Sequence, residues 1–190
     1  MKHRLPILVL PLVLLAGCGY NTIQTYDEQA ASARSTIEVQ LQRRADLVPN
    51  LVATVKGYAA QEERIFTEVA RARAGLAGAV QSRDLTQMAE ANNQLTGALG
   101  RLLAIAEAYP QLKSDQNFLR LQDELAGTEN RIAVARQDYN EAARNYNTYI
   151  RKFPQVLTAK VIGADAKPYF EVTNPGNREA PAVDFSKPGA

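Results

Sequence analysis

Tryptophan is absent from this 190-residue chain, and histidine and cysteine occur once each. A single cysteine rules out an intrachain disulfide and any multi-thiolate metal centre. A single histidine rules out the two-histidine HExxH zinc helix and the two-histidine di-metal pattern of helical bundles. An excess of one charge is missing as well: 22 basic against 20 acidic side chains gives a formal +2, too little to announce nucleic acid. At this length one domain with a substantial core is the default expectation.

Both scarce residues, His3 and Cys18, sit at the N-terminus. Lys2, His3 and Arg4 form a short basic stretch. The run from Leu5 to Leu15 is almost purely apolar, interrupted by Pro6 and Pro11, and it ends in Leu15-Ala16-Gly17-Cys18. A run of about 11 residues falls short of the roughly 20 that a spanning helix needs, so it reads as the apolar region of a signal peptide over 1–17. Leu15, Ala16, Gly17 and Cys18 resemble the lipobox of bacterial lipoproteins. That resemblance implies cleavage before Cys18, a diacylglycerol on its sulfur and the membrane as a partner. Gly19 stands where an aspartate retains Gram-negative lipoproteins in the inner membrane, so the expected address is the outer membrane, facing the periplasm. Two or three acyl chains hold where one is marginal, since each buried methylene adds about 0.8 kcal/mol. A plain secretory signal with an incidental cysteine, or a short uncleaved anchor, is the alternative.

Cleavage would remove Lys2 and Arg4 and leave 20 basic against 20 acidic side chains, with no histidine. Serine–histidine, cysteine–histidine and histidine acid–base schemes are then excluded. A carboxylate-only mechanism needs two converging acids, and Glu62 with Glu129 is the pair to examine. No catalytic residue, metal or cofactor is expected.

Between the leader and Pro154 only Pro49 and Pro110 interrupt a composition rich in Ala, Leu, Gln, Glu and Arg. The pattern predicts helices over about 20–47, 49–77, 84–108 and 114–152. Phe118, Leu121, Leu125, Thr128, Ile132, Ala135, Tyr139, Ala142, Tyr146, Tyr149 and Phe153 recur at alternating spacings of three and four. Such a repeat means left-handed knobs-into-holes packing. Pro49 suits the first turn of a helix, Asp84 with Gln87 forms a capping box, and Ser114 caps the last helix. The expected fold is all-α: an elongated antiparallel up-down four-helix bundle over 18–153 with a C-terminal non-helical tail. In that tail Val156, Leu157, Val161, Ile162, Tyr169, Phe170 and Val172 would pack along the bundle within 154–172. The proline- and glycine-rich stretch 173–190 should be disordered. The 44–50 and 109–117 turns should lie at the end far from Cys18.

Three stretches, with Tyr20-Asn21 at the start, then carry a resemblance. The first is Arg43-Arg44-Ala45-Asp46-Leu47-Val48-Pro49-Asn50-Leu51-Val52. The second is Tyr109-Pro110-Gln111-Leu112-Lys113, running to Asn117-Phe118-Leu119. The third is Thr128-Glu129-Asn130-Arg131-Ile132-Ala133 with Arg136, Tyr139-Asn140 and Tyr146-Asn147 through Phe153-Pro154. In this order they resemble the LemA family over about residues 20–172. The resemblance implies a membrane-tethered antiparallel helical bundle without an assigned enzymatic activity. Some members are linked to membrane proteolysis and stress, and magnetosome-associated relatives exist. Many members carry an uncleaved transmembrane helix where this chain has a lipobox.

Counting about 14 residues back from the expected far turns reaches Arg34, Glu62, Asn92, and Thr128 with Glu129 on the four helices. These are read as one polar layer, with Arg34 paired to Glu62 or Glu129, that fixes helix register or, alternatively, holds a ligand. Arg43, Arg44, Asp46 and Asn50 are read as a network closing the first turn, with Asp46 accepting from Arg43 and Asn50, or as a partner surface. Arg71, Arg73, Arg144, Arg151 and Lys152 should gather near the lipid, either against anionic head groups or against helix C-termini. Gly97 and Gly100 are read as close-packing positions. The expected function is a non-enzymatic, membrane-anchored scaffold with an unidentified protein partner and no nucleic acid. A binding protein for a small or acyl-type ligand held between the helices is the competitor.

Overall fold

The computed structural model describes residues 5–171, with side chains from Gly19 onward. Among these residues the chain is all-helical: α1 (Leu5–Lys56), α2 (Glu63–Ser82), α3 (Leu85–Ala108), the single turn α4 (Pro110–Lys113), α5 (Gln116–Arg151) and α6 (Gln155–Ile162).

The long helices α1 and α5 lie against each other. Their contacts run in opposite senses along the two chains: Tyr26 meets Tyr149 with ring centroids 5.3 Å apart, Arg44 meets Glu129, and the Tyr58 hydroxyl donates to Asp115 at 2.9 Å. Helices α2 and α3 form a shorter hairpin, in which the Arg101 guanidinium grips Glu68. Asp84 starts α3 as its sequence predicts, its Oδ1 accepting from the backbone N–H groups of Thr86 at 2.8 Å and Gln87 at 2.9 Å. At α5 the cap is one residue further on than predicted. Asp115 accepts from the Phe118 N–H at 2.9 Å, while the Ser114 hydroxyl donates back to the Pro110 and Gln111 carbonyls.

The hairpin covers only part of α1. Its turn reaches Arg34, which donates to the carbonyl of Arg83 at the left-handed C-cap of α2. The larger core therefore lies where α1 and α5 meet α2 and α3. Below Arg34 a second, smaller core of Ile23, Tyr146, Ile150 and Ala159 joins α1 and α5 to α6. Gly19 is buried there because a Cβ would come within 3.4 Å of Gln155 Cγ and 3.7 Å of Thr158 Oγ1.

The largest departure from expectation is at Pro49. The first helix does not turn at 44–50; it continues to Lys56, and the connection is 57–62. Proline inside a helix leaves the carbonyl four residues back without its N–H donor. That carbonyl is Ala45 O, and Arg73 on α2 donates its Nε–H to it at 2.9 Å. A side chain from a neighbouring helix thus completes the backbone bond that Pro49 cannot make, and α1 passes through.

Three smaller corrections follow from the same geometry. The tail is partly helical, because Gln155–Ile162 forms α6. Of its apolar residues Phe170 is buried, but Leu157 and Val161 are 57% and 86% exposed. Val172 and the stretch 173–190 lie outside the described residues. The buried stripe of α5 follows the predicted spacing to Tyr139 and again at Tyr146, but Ala143 and Ile150 are buried where Ala142 and Tyr149 were expected, Asn147 joins them, and Phe153 is exposed. A straight 3.6-residue helix drifts against a 3.5-residue pattern over such a length. Gly97 and Gly100 are exposed, and added Cβ atoms would meet only Arg101 Nη1 at 3.9 Å and open space respectively, so they are not close-packing sites.

Candidate functional site

Arg44 is the only charged residue in the described core, 4% exposed, with Asn92 and Thr128 beside it at 3% and 0%. Its Nη1 lies 2.5 Å from Asn92 Oδ1 on α3 and 2.5 Å from Glu129 Oε2 on α5. Its Nε is buried without a partner. The Thr128 hydroxyl donates to the Glu124 carbonyl at 2.8 Å and so is satisfied within its own helix. Burial pulls the guanidinium below its ordinary range, and Glu129 opposes that pull by attraction and hydrogen bonding. The Glu129 side chain is 41% exposed, but its Oε2, the oxygen facing Arg44, is buried.

A polar layer therefore exists, but with a different cation. Asn92, Thr128 and Glu129 share a level; Arg34 and Glu62 are elsewhere. Arg34 pairs with Glu38 at 3.2 Å, and Glu62 ends the 57–62 connection as the residue capping α2. The first turn lies about ten residues beyond Pro49, so the same count back along α1 ends on Arg44. Glu62 and Glu129 do not converge. Arg43, Arg44, Asp46 and Asn50 do not form a turn network, because all four lie within α1. Asp46 accepts from Gln42 Nε2 at 2.9 Å, and Asn50 gives its carbonyl to the Thr54 hydroxyl at 3.0 Å. The turn is closed instead by Tyr58 with Asp115 and by Gln61 with the Tyr109 hydroxyl. Arg73 belongs to the Pro49 repair, and Arg71 lies two residues away on the same helix, so neither joins Arg144, Arg151 and Lys152.

The second constellation was not anticipated. After Gly163, at φ 67°, the chain runs without helix to residue 171 across α5. Asn147 donates Nδ2–H to the Lys167 carbonyl at 2.9 Å and accepts the Lys167 N–H on Oδ1 at 2.7 Å. Asn140 repeats the pattern on Phe170, at 3.1 Å and 2.8 Å. Tyr139 donates to the Pro168 carbonyl at 2.8 Å. Two side chains of the segment are read as well. Lys167 Nζ meets Asp27 Oδ1 at 2.7 Å and lies 4.8 Å from the Tyr146 ring centroid. Phe170 is 4% exposed beneath the Arg136 guanidinium, 4.8 Å from its ring centroid. The available signal was the pair Tyr139-Asn140 and Tyr146-Asn147, one heptad apart beside the apolar stripe.

Burial raises the Tyr139 and Tyr146 phenols above their usual range, with Arg34 countering at Tyr139 and Asp27 and Asp165 adding at Tyr146. A phenol raised on folding contributes stability that is complete below about pH 10 and is lost as pH rises through its folded value. Melting temperature should accordingly fall from pH 9 to 11.5, with a shallower slope in Y139F/Y146F. Equal slopes would refute that assignment.

At the lower end, Phe153, Leu157 and Val161 are exposed at spacings of four, beside Lys152 and Lys160. This apolar and basic face belongs to α6 and its approach, which pack against Gly19. Among the described residues no helix is long and apolar enough to cross a membrane, and no cluster of metal-ligating side chains occurs.

Comparison with known proteins now fits this architecture to a family: the model of the LemA family matches residues 33–185. The chain belongs to the LemA family. Among curated relatives, magnetosome proteins MamQ 1 and MamQ 2 of Paramagnetospirillum magneticum are each 34% identical over 176 residues, covering 80% of this chain. MamQ of Magnetospirillum gryphiswaldense is 33% identical over 174 residues with the same coverage. The chain spans 64% of the length of each of these relatives. The LemA match takes in the Arg44 layer and, of the second constellation, Asn140, Asn147 and residues 167–170, while Asp27 precedes it.

Proposed function

We propose that this LemA protein is a non-enzymatic scaffold, lipid-anchored through Cys18 at the outer membrane and facing the periplasm, with its helices arranged as an antiparallel four-helix rod. The observation that carries the reading is the use of Arg44. The one buried charge among the described residues turns its Nη1 to Asn92 and Glu129 on two other helices, a use that favours fixing register. The specialised features that remain are surfaces. The apolar and basic face of Phe153, Leu157, Val161, Lys152 and Lys160 suits a bilayer interface, where apolar groups sink and each cation adds about 1 kcal/mol against anionic lipid. The upper end, closed by Tyr58, Asp115, Gln61 and Tyr109, is polar and suits a protein partner.

The expected behaviour is palmitate-analogue labelling of the wild type and none of C18S, which retains residues 1–17 by mass. Photocrosslinker placed at Gln61 should then capture a discrete protein from native membranes. Labelling of C18S would overturn the anchor. A small molecule released from the purified chain in native mass spectrometry, with no crosslinked protein, would replace the scaffold by a ligand carrier.

A further inference from the structure

We propose that the face of α5 bearing Asn140 and Asn147 is a peptide-binding groove for extended segments of the form Lys/Arg-x-x-Phe, occupied in this chain by its own residues 167–170. The geometry is that of a strand pairing carried out by side chains. Each asparagine amide presents one donor and one acceptor to the carbonyl and N–H of a single residue, as a neighbouring strand would. Seven helical residues rise about 10.5 Å, and three extended residues span about 9–10 Å, so the two amides meet backbone units three residues apart.

These bonds address main chain only and are indifferent to the side chains of their ligand. Selectivity falls to two positions. Asp27 and the Tyr146 ring receive a cation, and the Arg136 guanidinium covers a buried phenylalanine. Pro168 and Tyr169 between them face outward, Tyr169 being 45% exposed, so the middle positions are free. Phe170 belongs to the larger core, so vacating its position uncovers apolar surface that a ligand phenylalanine would cover again, while the rest of the groove is lined by amide, hydroxyl and charged groups that water can satisfy. The occupant is joined to α6 through Gly163, in the left-handed conformation, where its path departs from the helix. The inference does not depend on the anchor, and its test contains no membrane.

The test uses the full chain purified in detergent and a fluorescent nine-residue peptide copying 163–171. In K167A/F170A the resident segment loses both anchors. The peptide should bind this variant at least about 10-fold tighter than wild type, whose own segment competes at millimolar effective concentration. Changing the peptide's phenylalanine to alanine, or adding N140A/N147A to the vacated protein, should each weaken binding at least about 10-fold. Equal affinity for wild type and vacated chain, or affinity insensitive to the asparagines, would overturn the proposal. No binding to a vacated chain that still melts cooperatively would overturn it as well. If K167A/F170A does not fold, amide exchange in wild type decides. Saturating peptide should strip protection from 167 and 170 while the helices keep theirs; unchanged protection refutes the groove.

Discussion

Replacing Arg44 by alanine should lower stability by about 3 kcal/mol, or roughly 6–12 °C in melting temperature for a domain of this size. Three losses combine. The long apolar stem of Arg44 leaves a gap between α1, α3 and α5. Asn92, 3% exposed, keeps an amide oxygen without its donor, which costs about 1–3 kcal/mol. Glu129 loses its counter-charge at a buried Oε2, and only the rest of its side chain, 41% exposed, lets water recover part of that term, which keeps the total below the extreme for a fully buried pair. The apolar double variant R44M/N92L should recover the packing and Asn92 parts of the loss, because the gap is filled and no amide is left unsatisfied, while Glu129 stays without its counter-charge. Its cost should appear in register: several sets of amide resonances where the wild type shows one. Urea unfolding followed by helical signal checks the first statement, and a loss below 1 kcal/mol for R44A would refute it.

The second large effect concerns Pro49 and Arg73. R73A should destabilise by about 1–2 kcal/mol, because Ala45 O is left without a donor inside a helix. P49A should stabilise by about 1–2 kcal/mol, as the ordinary helical bond to Ala45 O becomes available and the mid-helix proline penalty disappears. In the P49A background R73A should cost no more than about 0.5 kcal/mol, giving a coupling near 1 kcal/mol in a double-mutant cycle. Strict additivity would show that Arg73 acts through something other than the orphaned carbonyl.

This pair also marks where the sequence was legible and where it was not. α3 and α5 were readable to within two residues, because their apolar spacing, the Asp84 cap and the Pro110 break are local signals. Pro49 was locally consistent with a helix start, and the group that overrides that reading lies 28 residues away on another helix. The error then propagated along α1. A level reckoned from the wrong turn recovered Asn92, Thr128 and Glu129 but named Arg34 where Arg44 stands. The clamp on 167–170 was harder still to foresee. Its bonds run to backbone atoms, which every residue type possesses, so the ligand half leaves almost no trace in composition. Only the asparagine half does.

The burial of Gly19 against α6 has a mechanical consequence. Helix α1 is continuous from Leu5 to Lys56, and Gly19 is already packed closely against the body. A lipid placed on Cys18 would therefore be joined to the folded body by a single peptide bond, with no tether between them. Such a molecule is a post and not a buoy: its upper end would stand about 57 Å above residue 19 along a straight helix. Its tilt would follow the seating of Leu157 and Val161. Neighbouring copies in one leaflet would present their Tyr58–Asp115 ends at a common height, so that crowding in the plane of the membrane alone would align them into a raised, level surface.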